Sequence, residues 1–189
     1  MSSETKMMTA EKPASAEALV AAPAQVRMEV EAFLYREARV LDAEQWREWL
    51  GAMVDKDIRY QVWSRQLRMR KDKRVVGPAE VYIYDDDYQV LDMRVQQFES
   101  GLQWRSDPPE RLRHMVSNVE AFQGERQGEY LVYSNCLVTR NRRVYEESSF
   151  VYGREDVLRR DSEGRLRLLR RLIDYDQRFI EGRNLLFFL

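Results

Sequence analysis

The chain has 189 residues, of which 44% are hydrophobic and 11% aromatic, enough to fill one packed core. Its 31 basic and 32 acidic residues leave a net charge of −1, which excludes a global field that would draw nucleic acid or an anionic membrane. A single histidine, His114, and a single cysteine, Cys136, exclude an internal disulfide, a Cys/His zinc site, a cluster needing two cysteines and two histidines, and a two-histidine, one-carboxylate iron centre. The charged fraction of 33% fits either salt-linked surfaces between subunits or plain solubility. No positive-then-apolar leader opens the chain and no apolar run approaches the roughly 20 residues that span a bilayer. A reducing cytoplasm is therefore the expected location.

Residues 1–24 are rich in Ala, Ser, Thr, Glu and Lys with little apolar periodicity, which predicts a mobile arm ahead of a single domain over 25–189. Val26, Val30, Phe33, Leu34, Ala38 and Leu41 then recur at helical spacing. Asp42, with Gln45 three residues on, reads as the capping box of a second helix that places Trp46, Trp49, Leu50 and Met53 on one face. In 55–63, Ile58, Tyr60 and Val62 alternate with polar residues as a half-buried strand does. The basic stretch 65–74 reads as a solvated loop or as a docking surface for an acidic partner. Asp85, Asp86 and Asp87 are expected at the amino end of a third helix carrying Tyr88, Leu91, Val95, Phe98 and Leu102, where they favour the helix dipole. As a metal site the triplet is poor, because successive side chains diverge.

From residue 113 onward the chain predicts four long strands, over 113–122, 130–139, 145–158 and 166–176, with turns at Gly124/Gly128, Asn141 and Gly164. Helices first and strands afterwards is an α+β order: a curved antiparallel sheet wrapped around about three N-terminal helices, giving a cone.

Several segments in sequence order, FLYREARVLDAEQWREWL at 33–50, DKDIRY at 55–60, DDDYQVLDMRVQQFESGLQW at 85–104, DPPERLRHMVSNV at 107–119, GREDVLRR at 153–160 and the closing NLLFFL, resemble the β (small) subunit of the Rieske non-haem iron aromatic-ring-hydroxylating dioxygenases, the biphenyl and naphthalene dioxygenase group. QVW at 61–63 lacks the proline common after this strand in that group. The resemblance implies a cystatin- or nuclear-transport-factor-2-like cone. It implies association with a catalytic α subunit, as three α and three β subunits with β-β contacts, while the balanced charge and the lack of a spanning apolar run leave no role expected for nucleic acid or membrane. The Rieske [2Fe-2S] cluster and the mononuclear Fe(II) would sit on α, with NADH as the ultimate electron donor, and the product would be an arene cis-dihydrodiol. No catalytic, cofactor-binding or metal residue is then expected in this chain.

By residue type and motif position, the expected interface residues are Trp104, Arg105, Arg111, Arg113, His114, Tyr145 and Arg160, with Phe187 and Phe188 either in the core or between subunits. His114 reads as a structural or interfacial strand residue, on the face opposite Met115, Ser117 and Val119. Cys136, mid-strand among apolar neighbours, reads as inert. Asp57, Tyr60, Tyr35 and His114 support the alternative, a stand-alone metal-free isomerase or dehydratase of the same fold with an internal acid/base pair. A transport-like adaptor rests on fold analogy alone.

Overall fold

A computed structural model describes residues 19–64, 82–101, 110–142, 146–176 and 187–189. The sequence-based expectations for the arm as far as residue 18, the basic stretch 65–74, Leu102, Trp104, Arg105 and Tyr145 lie outside the described residues. Of the remaining arm, residues 20–22 pair with the sheet: Ala22 N donates to the Ala121 carbonyl at 2.9 Å and Gln123 N to that of Val20 at 2.8 Å.

Helix α1, Ala24–Asp42, buries Val30, Leu34, Val40 and Leu41, and with them Glu37. It does not hand over to the next helix through a capping box. Glu44 takes a left-handed φ of 56°, Glu44 N bonds the Leu41 carbonyl and Gln45 N that of Val40, both at 3.0 Å. These crossed bonds are a Schellman stop, which satisfies the carbonyls at the end of α1. Asp42 is thereby the last turn of α1 rather than the cap of α2, Trp46–Glu48, which has no side-chain cap. A π-helical turn, Trp49–Met53, follows and buries Trp49, Leu50 and Met53.

The sheet has six strands in the order β2-β1-β6-β5-β4-β3, with β1 at Val54–Ser64, β2 at Tyr82–Asp86, β3 at Arg111–Gln123, β4 at Glu129–Arg142, β5 at Glu146–Arg160 and β6 at Leu166–Tyr175. Strands β3 to β6 form the expected antiparallel meander. The sheet is nevertheless mixed, because β1 pairs with β6 in parallel. Tight turns force antiparallel partners, but β1 and β6 are joined through all the chain between them, and nothing local sets their sense. Gly124 is required at the β3–β4 turn, where a Cβ would lie 2.8 Å from backbone of Glu129. Asn141, expected in a turn, is a strand residue paired with Arg111 and Glu147.

Two local patterns also depart from expectation. A bulge between Ser117 and Glu120, with Asn118 at a φ of 51°, adds one residue to β3 and swaps its faces. Leu112, His114 and Val116 face inward before it and Val119 and Ala121 after it, so Val119 shares the face of His114 instead of opposing it. Asp85 and Asp86 belong to the edge strand β2, and only Asp87 caps α3, Tyr88–Glu99, accepting from Val90 N at 2.9 Å. Asp85 pairs with Arg59 and Asp86 with Arg94, each at 2.9 Å. Helix α1 crosses the inner face at β3, and the core lies between the helices and the sheet. No described helix is long and apolar enough to cross a membrane.

Candidate functional site

Alternation along β5 sends Phe150, Tyr152, Arg154, Asp156 and Leu158 to the inner face. Two of these five are charged, and β6 adds a third charge, Arg171, which is fully buried. Arg171 is bidentate to Asp156, with Nε 2.9 Å from Oδ1 and Nη2 3.0 Å from Oδ2, and Nη2 also donates to Glu37 of α1 at 2.7 Å. The indole of Trp49 donates to the other Glu37 oxygen at 2.9 Å. Arg154 completes the group, its Nη1 3.6 Å from Glu37 and its Nε 3.0 Å from Asp156. Two carboxylates and two guanidiniums cancel, which is the condition for holding charge out of water. Burial alone would push the Glu37 carboxyl up, but Arg171, Arg154 and the hydrogen bonds outweigh it and hold the group below its ordinary value.

The last three residues close onto this cluster. Phe187, Phe188 and Leu189 are each at most 3% exposed. Phe188 lies 4.4 Å from the ring of Trp49 and edge-on to Tyr60 and Phe98, and Phe187 packs on Phe150. The polar backbone is matched as well: Leu189 N donates to Tyr60 Oη at 2.9 Å, while the Leu189 oxygen accepts from Tyr60 at 3.0 Å and from Arg171 Nη1 at 3.1 Å. Burial raises the Tyr60 hydroxyl to about 12.

His114 joins the same arrangement from β3. Asp42 Oδ1 accepts from its backbone N–H at 2.9 Å and faces ring Nδ1 at 2.7 Å, and ring Nε2 stands 3.0 Å from the Phe188 carbonyl. The imidazole links the end of α1 to the closing segment. Its carboxylate partner is Asp42, not Asp57, which is exposed and pairs with Arg159 at 2.8 Å. Tyr35 is exposed and Tyr60 is committed to Leu189. The four residues of the isomerase reading therefore do not assemble an acid/base pair. Cys136 is buried and free.

Other expected interface residues are placed as follows. Arg111 is exposed. Arg113 is largely exposed and reaches Asp42 Oδ2 at 3.2 Å. Arg160 pairs with Glu29 of α1 and donates to the Gly164 carbonyl at 2.7 Å, beside the Tyr130 ring. Phe187 and Phe188 lie inside the chain's own core. A further buried ion pair, Arg140 bidentate to Glu110 at 2.6 and 2.9 Å, had no sequence-based expectation, nor did the Glu37 cluster. The signal was present: Arg140, Arg154, Asp156 and Arg171 stand in phase with the apolar residues of their strands.

The opposite face of the sheet differs. Met115, Leu137 and Val151 are register partners across β3, β4 and β5, and Met115 and Val151 are 45% and 43% exposed. Leu137, half-buried between them, joins the two into a short apolar row on this face. Among the described residues no group of three or more His, Cys, Asp or Glu is arranged to hold a metal ion.

Residues 36–182 match the family model for the ring hydroxylating beta subunit. The chain is 35% identical over 187 residues to the biphenyl 2,3-dioxygenase subunit beta of Rhodococcus jostii, covering 96% of this chain and 100% of that one. It is 31% identical over 164 residues to the small oxygenase component of the naphthalene 1,2-dioxygenase system of Pseudomonas aeruginosa, covering 87% and 85%. Among solved structures, a chain of naphthalene 1,2-dioxygenase with indole bound in the active site superposes with a TM-score of 0.84 at 29% identity, covering 89% of this chain and 88% of that one. The mixed sheet over its helices is thus the nuclear-transport-factor-2-like cone of these subunits, and the chain belongs to the ring-hydroxylating dioxygenase β-subunit family.

Proposed function

We propose that this chain is the non-catalytic β subunit of an aromatic-ring-hydroxylating dioxygenase, and that it holds iron-bearing α subunits in a hetero-oligomer of three α and three β subunits in the cytoplasm. The observation that carries the reading is the family match over most of the chain. The donor set agrees with it. Neither a Rieske [2Fe-2S] cluster nor a mononuclear Fe(II) fits one histidine, whose two ring nitrogens face Asp42 and Phe188, and one buried cysteine. Both centres, fed with electrons from NADH, belong to the α subunit in this reading, and dihydroxylation of an arene takes place there.

The contact surface in this reading is the sheet face bearing Met115, Leu137 and Val151, extended by Arg111 and Arg113 on the same face of β3. Burying that stripe would supply the hydrophobic core of an interface with Arg at its rim. Mass measurement and iron analysis of the chain co-expressed with its α subunit test the proposal. A hetero-oligomer with a Rieske absorption spectrum and an iron-free β chain is the expected result. Turnover of a small hydrophobic substrate by the β chain alone would overturn it in favour of the isomerase or dehydratase.

A further inference from the structure

One small cavity lies between α1 and the inner face of the sheet. It is lined by apolar Leu34, Ala38, Leu41 and Val116 and by polar Glu37, His114, Cys136, Tyr152 and Arg154. Register fixes its floor: Val116, Cys136 and Tyr152 are neighbours across β3, β4 and β5, and Arg154 stands next inward-facing along β5. Tyr152 and Arg154 are 1% and 5% exposed. Among the described residues, the Tyr152 hydroxyl and the Nε and Nη2 of Arg154 have no hydrogen-bond partner. Arg154 is held near Glu37 and Asp156 by charge, but those carboxylates are already aligned on Arg171 and Trp49.

Size and charge decide what such a site accepts. The cavity has room for about one water. The surrounding charges, Glu37 and Asp156 against Arg154 and Arg171, already balance, so an anion would leave an uncompensated buried charge. A neutral ligand that both accepts from a guanidinium and bonds a phenol satisfies the Tyr152 hydroxyl and Arg154 Nη2, while Arg154 Nε stays in ionic contact with Asp156 at 3.0 Å. We propose that this cavity is a binding site for a single ordered water, which accepts from Arg154 Nη2 and bridges to the Tyr152 hydroxyl. The water joins Tyr152 and Arg154 on the floor of the cavity, beside the Glu37–Arg171 cluster and beneath α1.

A high-resolution crystal structure of the full chain tests the placement. Density for one water within hydrogen-bond distance of Tyr152 Oη and Arg154 Nη2 supports the site; a dry cavity, a larger bound solute, or an Arg154 rotamer paired directly with Glu37 overturns it. The Tyr152→Phe variant gives a second reading by sign. An orphan hydroxyl is a liability, so its removal would raise Tm; a hydroxyl bonded to a held water loses a bond on removal. The proposal expects Tm to fall by about 2–4 °C, the usual effect of one lost hydrogen bond in a chain of this size. An unchanged or raised Tm counts against it.

Discussion

Arg170 and Arg171 are adjacent on β6 and sit in different solvents. Each pairs with a carboxylate on β5 at nearly the same distance, Arg170 with Glu155 at 2.8 Å and Arg171 with Asp156 at 2.9 Å. Strand alternation turns the first to the outer face, where its side chain is 47% exposed, and the second to the interior, at 0%. Equal geometry does not mean equal worth. In water the ion pair gains little and is screened, whereas an interior charge that loses its partner has no solvent to replace it. The two faces consequently answer to different rules. Inside, charges are matched within the chain and the closing residues are locked in. Outside, ion pairs are worth little, and Met115 and Val151 stand exposed on either side of a half-buried Leu137.

The sharpest way to break this comparison is to remove the two arginines separately. Arg171→Met leaves Glu37 and Asp156 buried with one cation between them and is expected to cost about 3–5 kcal/mol, whereas Arg170→Met should cost less than about 1 kcal/mol. Urea unfolding of the two full-length variants reads the difference, and equal losses would dissolve the distinction. Phe188→Ala comes next, because it empties the space between Trp49, Tyr60 and Phe98. About 3 kcal/mol or more should be lost in the same assay, and a near-neutral result would mean that the closing segment is not part of the core.

The interior also predicts the pH limits. Glu37 is depressed below its ordinary 4.5, so its stabilisation is complete above about that pH and is lost as pH falls through the lower folded value. Tyr60 is raised from 10.0 to about 12, so its contribution is complete below 10.0 and is lost as pH climbs from there towards 12. Melting profiles should show both limbs. Glu37→Gln should flatten the acid limb and Tyr60→Phe the alkaline one, each at lower overall stability. The smallest effect on folding belongs to the outer face. Met115→Lys should change the stability of the isolated chain by no more than about 0.5 kcal/mol and still prevent assembly with α, seen as a shift to low mass in sizing chromatography. Assembly at wild-type yield would move the interface elsewhere.

Much of the fold is legible in residue order. The stripe of α1, the alternation of Ile58, Tyr60 and Val62, the α3 face of Leu91, Val95 and Phe98, and the four long strands all come from local periodicity, and each is found in place. The errors share a cause. Asp42 and Gln45 have the spacing of a capping box, but a left-handed Glu44 stops the helix first and frees Asp42 for His114. The face assignment of β3 fails at Asn118, because one bulged residue inverts a period of two. The interior ion cluster runs against the ordinary placement of charged residues at the surface, although Arg154 and Asp156 fall in step with Phe150, Tyr152 and Leu158.

What the sequence determined by itself was therefore of two kinds. Composition limited the chemistry: one histidine and one cysteine cannot supply a two-cysteine, two-histidine cluster or a two-histidine, one-carboxylate iron site within this chain. Periodicity set the elements, since each face of a helix or strand must bury its own apolar side chains. Only the tertiary structure decided which distant elements meet. The parallel seam between β1 and β6, the partnership of Asp42 with His114, and the seating of Phe188 and Leu189 beside Arg171 all join residues far apart in the chain. Such contacts are chosen by which arrangement neutralises every buried charge and fills the cone at once, and that condition exists only in three dimensions.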